Sequence, residues 1–87
     1  KVDFENDVCE TTLAALSDQD VAFLAAMADD EDGASRISDV AERMSVTPDY
    51  AQKYRRRLID AGVIEQARRG YVRFAVPYMA DYLRSQL

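Results

Sequence analysis

The sequence predicts a mainly α domain carrying one small β-hairpin, in the order α-α-β-α-α-β-β-α. Three observations predict it. Apolar residues recur at spacings of three and four through most of the chain before Gly62, the period of a helix face. After Gly62 the period changes to the alternation of strands, over residues 63–67 and 71–76. Gly70 stands between those two runs, where a hairpin turn needs a residue that accepts positive φ.

The first segment, 1–16, places Phe4, Val8, Thr12, Leu13 and Leu16 on helical spacing. It is expected to be a helix that is the tail or linker of an upstream domain, a packing arm or a dimer arm. Residues 17–87 would then form the domain proper. Residue 1 is Lys and no signal-peptide pattern follows, so the expectation is a piece of a longer protein or a processed chain. The lone Cys9 cannot form an intrachain disulfide and is expected to be a small half-buried hydrophobe.

Ser17-Asp18-Gln19-Asp20 has the pattern of a capping box. The helix it opens presents Val21, Leu24, Ala25 and Ala28, with Phe23 and Met27 widening the stripe. Asp29-Asp30-Glu31-Asp32-Gly33 should end that helix as a solvated acidic loop. A calcium loop with Gly33 sixth would begin at Ala28, which offers no ligand, so that reading is rejected. Ala34 to Ile37 is expected to be extended, and Ser38 to cap a helix built on Ile37, Val40, Ala41 and Met44.

Ser45-Val46-Thr47 leaves room only for a tight turn. The next helix has the clearest signals in the chain. Thr47 suits the N-cap, Pro48 the first helical position and Gly62 the left-handed residue that ends a helix. Ala51, Tyr54, Leu58 and Ala61 lie on one face; Asp49, Gln52, Lys53, Arg56 and Asp60 lie opposite, with Arg55 and Arg57 on the flanks. Two short helices joined by about three residues make the helix-turn-helix pattern. In the hairpin, Val72 and Phe74 alternate against Tyr71 and Arg73, and Arg68 and Arg69 sit near the tip. Pro77 should start a last helix that buries Tyr78, Met79, Tyr82 and Leu83.

Composition bounds the function. Hydrophobic content of 48% and charged content of 31% fit one small globular domain. No apolar run approaches a membrane span, so no membrane partner is expected and the expected compartment is cytoplasmic. Net charge is −5, yet it divides sharply: residues 1–49 carry −10 and residues 50–87 carry +5. That asymmetry suggests a basic surface on an acidic body. There is no His, one Cys and no phosphate-cradling glycine run, so the chain is expected to be non-enzymatic and to need no cofactor or metal.

The order of elements resembles the winged helix-turn-helix over residues 17–76. The residues that carry the likeness are Ile37-Ser38-Asp39-Val40-Ala41-Glu42, the run LIDAGVI from Leu58 to Ile64, and Gly70 to Phe74. More narrowly, the stretch from Tyr54 to Leu83 resembles the C-terminal winged helix of bacterial and archaeal AAA-type ATPases, including origin-recognition-like ones. The wing that ends Phe74-x-x-Pro77-Tyr78 before a helix is the specific part. A buried leucine usual in that pattern, three residues before Leu58, is replaced by Arg55, which leaves Tyr54 to take over the core role.

The resemblance implies double-stranded DNA as partner, with the second helix of the motif in the major groove. Carried onto this sequence, Gln52, Lys53 and Arg56 would face the groove, Tyr50 and Arg57 would sit at its edges, and Arg68, Arg69 and Arg73 would meet phosphates. It also implies an ATPase domain in the same parent chain, where ATP would bind. A second expectation, from a different class, is an interaction module that docks on its own ATPase body or on a partner protein; a homodimer through the terminal helices belongs here. A continuous positive strip from Lys53 to Arg69 would favour DNA, and interruption by Asp49, Asp60 and Glu65 would favour protein.

Overall fold

The computed structural model describes residues 2–30, 33–76 and 78–86, with side chains described from Val8 to Ser85 within those spans. The protein is mostly helical, with a small antiparallel sheet. In order, α1 is Val2–Ala14, α2 Asp18–Ala28, β1 Ser35–Arg36, α3 Ile37–Met44, α4 Pro48–Asp60, β2 Ile64–Arg68, β3 Tyr71–Phe74 and α5 Met79–Gln86. The expected hairpin is β2–β3, and β1 adds to its other side to give the strand order β1-β3-β2. Among the described residues no helix is long and apolar enough to cross a membrane.

Helix α2 is the centre of the packing and lies against α3, α4 and α5. Its capping box is complete: the Ser17 amide and hydroxyl donate to Asp20 Oδ2 at 3.1 and 2.9 Å, and the Asp20 amide donates back to Ser17 Oγ at 3.2 Å. Phe23, Leu24, Ala26, Met27 and Ala28 are buried, whereas Val21 and Ala25 are only half-buried. The core stripe therefore centres on Phe23 and Met27 rather than flanking itself with them. Three packed neighbours demand a wider buried face than a single i, i+3, i+4, i+7 line.

The far end of α2 has no basic residue of its own to balance its terminal carbonyls. Two arginines from other helices serve instead. Arg43 of α3 donates to the Ala26 carbonyl at 2.9 Å and to both Asp30 carboxylate oxygens at 2.8 and 3.0 Å. Arg84 of α5 donates to the carbonyls of Ala28 at 2.7 Å and Asp30 at 2.9 Å. The acidic segment was expected to be purely solvated; its first part is instead an arginine docking point. Glu31 and Asp32 lie outside the described residues.

Helix α3 starts one residue earlier than the expected cap. Arg36 holds the N-cap position with no side-chain cap bond, and Ser38 is an exposed helical residue. The reason is the sheet: the Ile37 amide donates to the Gly70 carbonyl at 3.0 Å, so a strand neighbour satisfies a group that a serine would otherwise cap. Ser45 ends the helix in the left-handed region, at φ 61°. In α4, Thr47 Oγ1 accepts from the Tyr50 amide at 3.2 Å and Gly62 takes φ 78°. Ala51, Tyr54 and Leu58 are buried as the spacing predicts. Ala61 is exposed, because α4 has already ended at Asp60 and Ala61 is its cap.

Two further expectations fail near the termini. Among the described side chains of α1 the buried one is Cys9, at 1% exposure rather than half-buried, while Val8 is 39% exposed; Leu13 and, beyond the helix, Leu16 pack at the core edge. The face is rotated by one residue toward α5, against which α1 packs. Phe4's side chain lies outside the described residues, as does Pro77. In α5, Met79 and Leu83 are buried and Tyr82 is half-buried, but Tyr78 precedes the helix at φ 68° and is 58% exposed.

Candidate nucleic-acid interface

The outer face of α4 follows from its period. With Ala51, Tyr54 and Leu58 turned to the core, Asp49, Gln52, Lys53, Arg56 and Asp60 are exposed. Gln52 and Arg56 make no hydrogen bond or ion pair among the described residues. Lys53 Nζ lies over the rings of Tyr54 and Tyr50, 5.5 and 6.0 Å from their centroids. Those rings sit 5.3 Å apart at 44°, with hydroxyls 3.4 Å apart. Tyr50, 42% exposed, thus forms a ledge at the start of the helix.

The flanking arginines behave differently. Arg57 reaches across to α2: its Nε donates to Asp20 Oδ1 at 3.1 Å and its Nη2 to Oδ2 at 2.9 Å. Asp20 is only 1% exposed, so this two-pronged bond is its compensation for burial. The Arg57 bond, chiefly, holds the Asp20 carboxyl below its ordinary value; desolvation pulls the other way and Ser17 adds to the lowering. Arg57, expected at the groove edge, thus stays exposed while its charge is shared with an acid of the fold. Arg55 reaches β2, donating to Gln66 Oε1 at 3.2 Å. That bond ties the helix to the sheet.

The sheet has an inner and an outer face. Rows across it are set by the pairing Ser35–Val72–Gln66 and, next, Arg36–Tyr71–Arg68. The first row carries the buried Ser35 and Val72. The second faces outward. Arg36 Nε and Nη2 donate to the Tyr71 hydroxyl at 3.3 and 3.2 Å, and Arg68 Cζ stands 3.9 Å from the centroid of the same ring. The Arg36 bond, first, and then Arg68 lower the Tyr71 pKa, because cations favour the phenolate. Arg69 is exposed beside Gly70 in the turn and has no partner among the described residues. Arg73 forms an ion pair with Glu65 on the same outer face.

Of the eight sequence-predicted residues, Tyr50, Gln52, Lys53 and Arg56 share the exposed side of α4, and Arg68 and Arg69 share the hairpin end. Arg57 and Arg73 are each matched to an acid. The sequence reading missed Arg36. A two-residue strand has no period to read, so its pairing with Tyr71 was invisible. Of the acids that could break a positive strip, Glu65 is consumed by Arg73, while Asp49 and Asp60 bracket the Gln52–Arg56 patch at the two ends of α4.

A family model described as a domain of unknown function, DUF8462, matches residues 6–83, and the chain belongs to that family. No curated protein and no solved structure matches it.

Proposed function

We propose that this chain is a winged helix-turn-helix module that binds double-stranded DNA. In this reading α3 and α4 are the helix-turn-helix, α4 enters the major groove and the β2–β3 hairpin is the wing. The observation that carries it is the distribution of unmatched cations. Lys53, Arg56, Arg68 and Arg69 lack an acidic partner among the described residues, and all are exposed on α4 or the hairpin. Meanwhile Asp20 and Asp30, on the acidic half, are engaged internally by Arg57 and Arg43.

Affinity would come from phosphates, whose charge is the same for every sequence, and base preference from Gln52 and Arg56 at the groove floor. The module is non-enzymatic in this reading. The likeness to the C-terminal winged helix of AAA-type ATPases makes it one domain of a larger chain whose other parts hydrolyse ATP.

A second reading has its own observation. Arg57 and Arg73 are neutralised within the fold, and the chain as a whole is acidic, which suits a module docked on its ATPase body or on a partner protein. Fluorescence-anisotropy titration against a random duplex separates the two. Saturable binding that weakens with salt is expected from the DNA reading; no binding at low salt and high protein concentration would leave the docking reading in its place.

A further inference from the structure

The row Arg36–Tyr71–Arg68 crosses all three strands, and its construction depends on an irregularity. From Ile64↔Phe74 to Gln66↔Val72 the β2–β3 register is regular, and continuing it would put Ala67 opposite Tyr71. A bulge between Gln66 and Arg68 sets Arg68 there instead. Bulges re-aim side chains in this way. Arg68 thereby stacks on one side of Tyr71 while Arg36, from the opposite strand, is held by the hydroxyl. Among the described residues neither guanidinium has a carboxylate within ion-pair distance, although Asp39 lies near enough to act on Arg36. The tyrosine gathers two like charges, which repel one another, around a single ring. Such a pair is complementary to an oxyanion.

We infer that Arg36 and Arg68, spaced by Tyr71, grip backbone phosphate of a nucleic-acid duplex on the outer face of the sheet. Tyr71 is a positioning residue, and Arg36 is a phosphate contact supplied by β1 rather than by the hairpin. This rests on the duplex reading above.

The test compares Arg36→Gln, Arg36→Lys and Tyr71→Phe with the wild-type chain, titrating a random duplex at several salt concentrations. A parallel NMR titration with tripolyphosphate follows the Tyr71 ring signals. One lost phosphate contact flattens the log K against log[salt] slope by about 0.9. Arg36→Gln should show that loss, Arg36→Lys should recover most of the slope, and Tyr71→Phe should weaken binding several-fold with the slope intact, because no charge is removed. Unchanged slopes in Arg36→Gln, with the wild type still binding duplex, overturn the row and leave the duplex reading standing. Tripolyphosphate shifting Tyr71 without any duplex binding overturns nucleic acid as the source. Silence in both titrations overturns the row and the duplex reading together.

Discussion

At the scale of single residues, Asp20 shows how one side chain can serve two levels of structure. It closes the capping box of α2 and, through Arg57, ties α2 to α4. Removing Arg57 leaves a buried carboxylate with Ser17 alone. Arg57→Ala should therefore cost about 1–3 kcal/mol, the penalty for stripping a partner from a buried polar group. The cost should depend on pH. Asp20 and Asp30 both hold their protons less tightly in the folded chain than the ordinary 3.8, each chiefly because of its arginine. A lowered folded pKa means stability that is complete above about pH 4 and drains away as pH falls further. Urea melts between about pH 3 and pH 7 should show the wild-type and Arg57→Ala curves converging at the acid end. A gap that stays constant with pH would remove the Asp20 charge from the explanation.

Leu58 makes a simpler case at the same scale. It is fully buried in the core that α2, α3 and α4 share, and its carbonyl accepts from the Val63 amide at 3.0 Å as the chain leaves the helix. Leu58→Ala should cost about 2–5 kcal/mol, since a large buried side chain leaves a cavity behind. A loss under about 1 kcal/mol in denaturant melts would contradict the phase of α4.

At the scale of elements, α4 was the most legible part of the sequence. Its cap, its proline, its glycine stop and its apolar stripe all act locally and all agree. Tyr54 did take the core position that Arg55 could not, and Arg55 instead bonds Gln66. What the sequence concealed was set by neighbours. The phase of α2 depends on three packed helices, the start of α3 on a bond from Gly70, and the fate of Arg57 on a residue 37 positions away. The candidate site was half legible for the same reason. Exposure on α4 follows from period, whereas pairing to acids does not.

The hairpin carries a prediction of its own. Arg68 and Arg69 lie at the end of a narrow sheet, on a different element from the proposed base-reading residues of α4, and should meet phosphates only. The double change Arg68→Ala, Arg69→Ala should weaken all duplexes alike and flatten the salt slope by about 1.8. Arg56→Ala should instead lose about 1–3 kcal/mol at one preferred base pair. An unchanged slope in the hairpin variant would take the wing out of the mechanism and leave the helix in it.

At the scale of the whole molecule, the acidic body is partly an internal resource. Asp20 anchors α4 and Asp30 anchors α3, and the α2 terminus accepts an arginine from α5. Helix α1 joins through α5, where the Tyr82 hydroxyl donates to Glu10 at 3.2 Å. Among the described residues the unmatched positive charge is therefore concentrated on α4 and the outer face of the sheet. The central claim is that this concentration binds duplex DNA. The most direct test is the wild-type salt dependence of binding to a random duplex by fluorescence anisotropy. Lys53, Arg36, Arg68 and Arg69 on phosphates predict a straight log K against log[salt] line with a slope of about −3.6, at about 0.9 per contact. A slope near zero, or no saturable binding at low salt, would contradict the account.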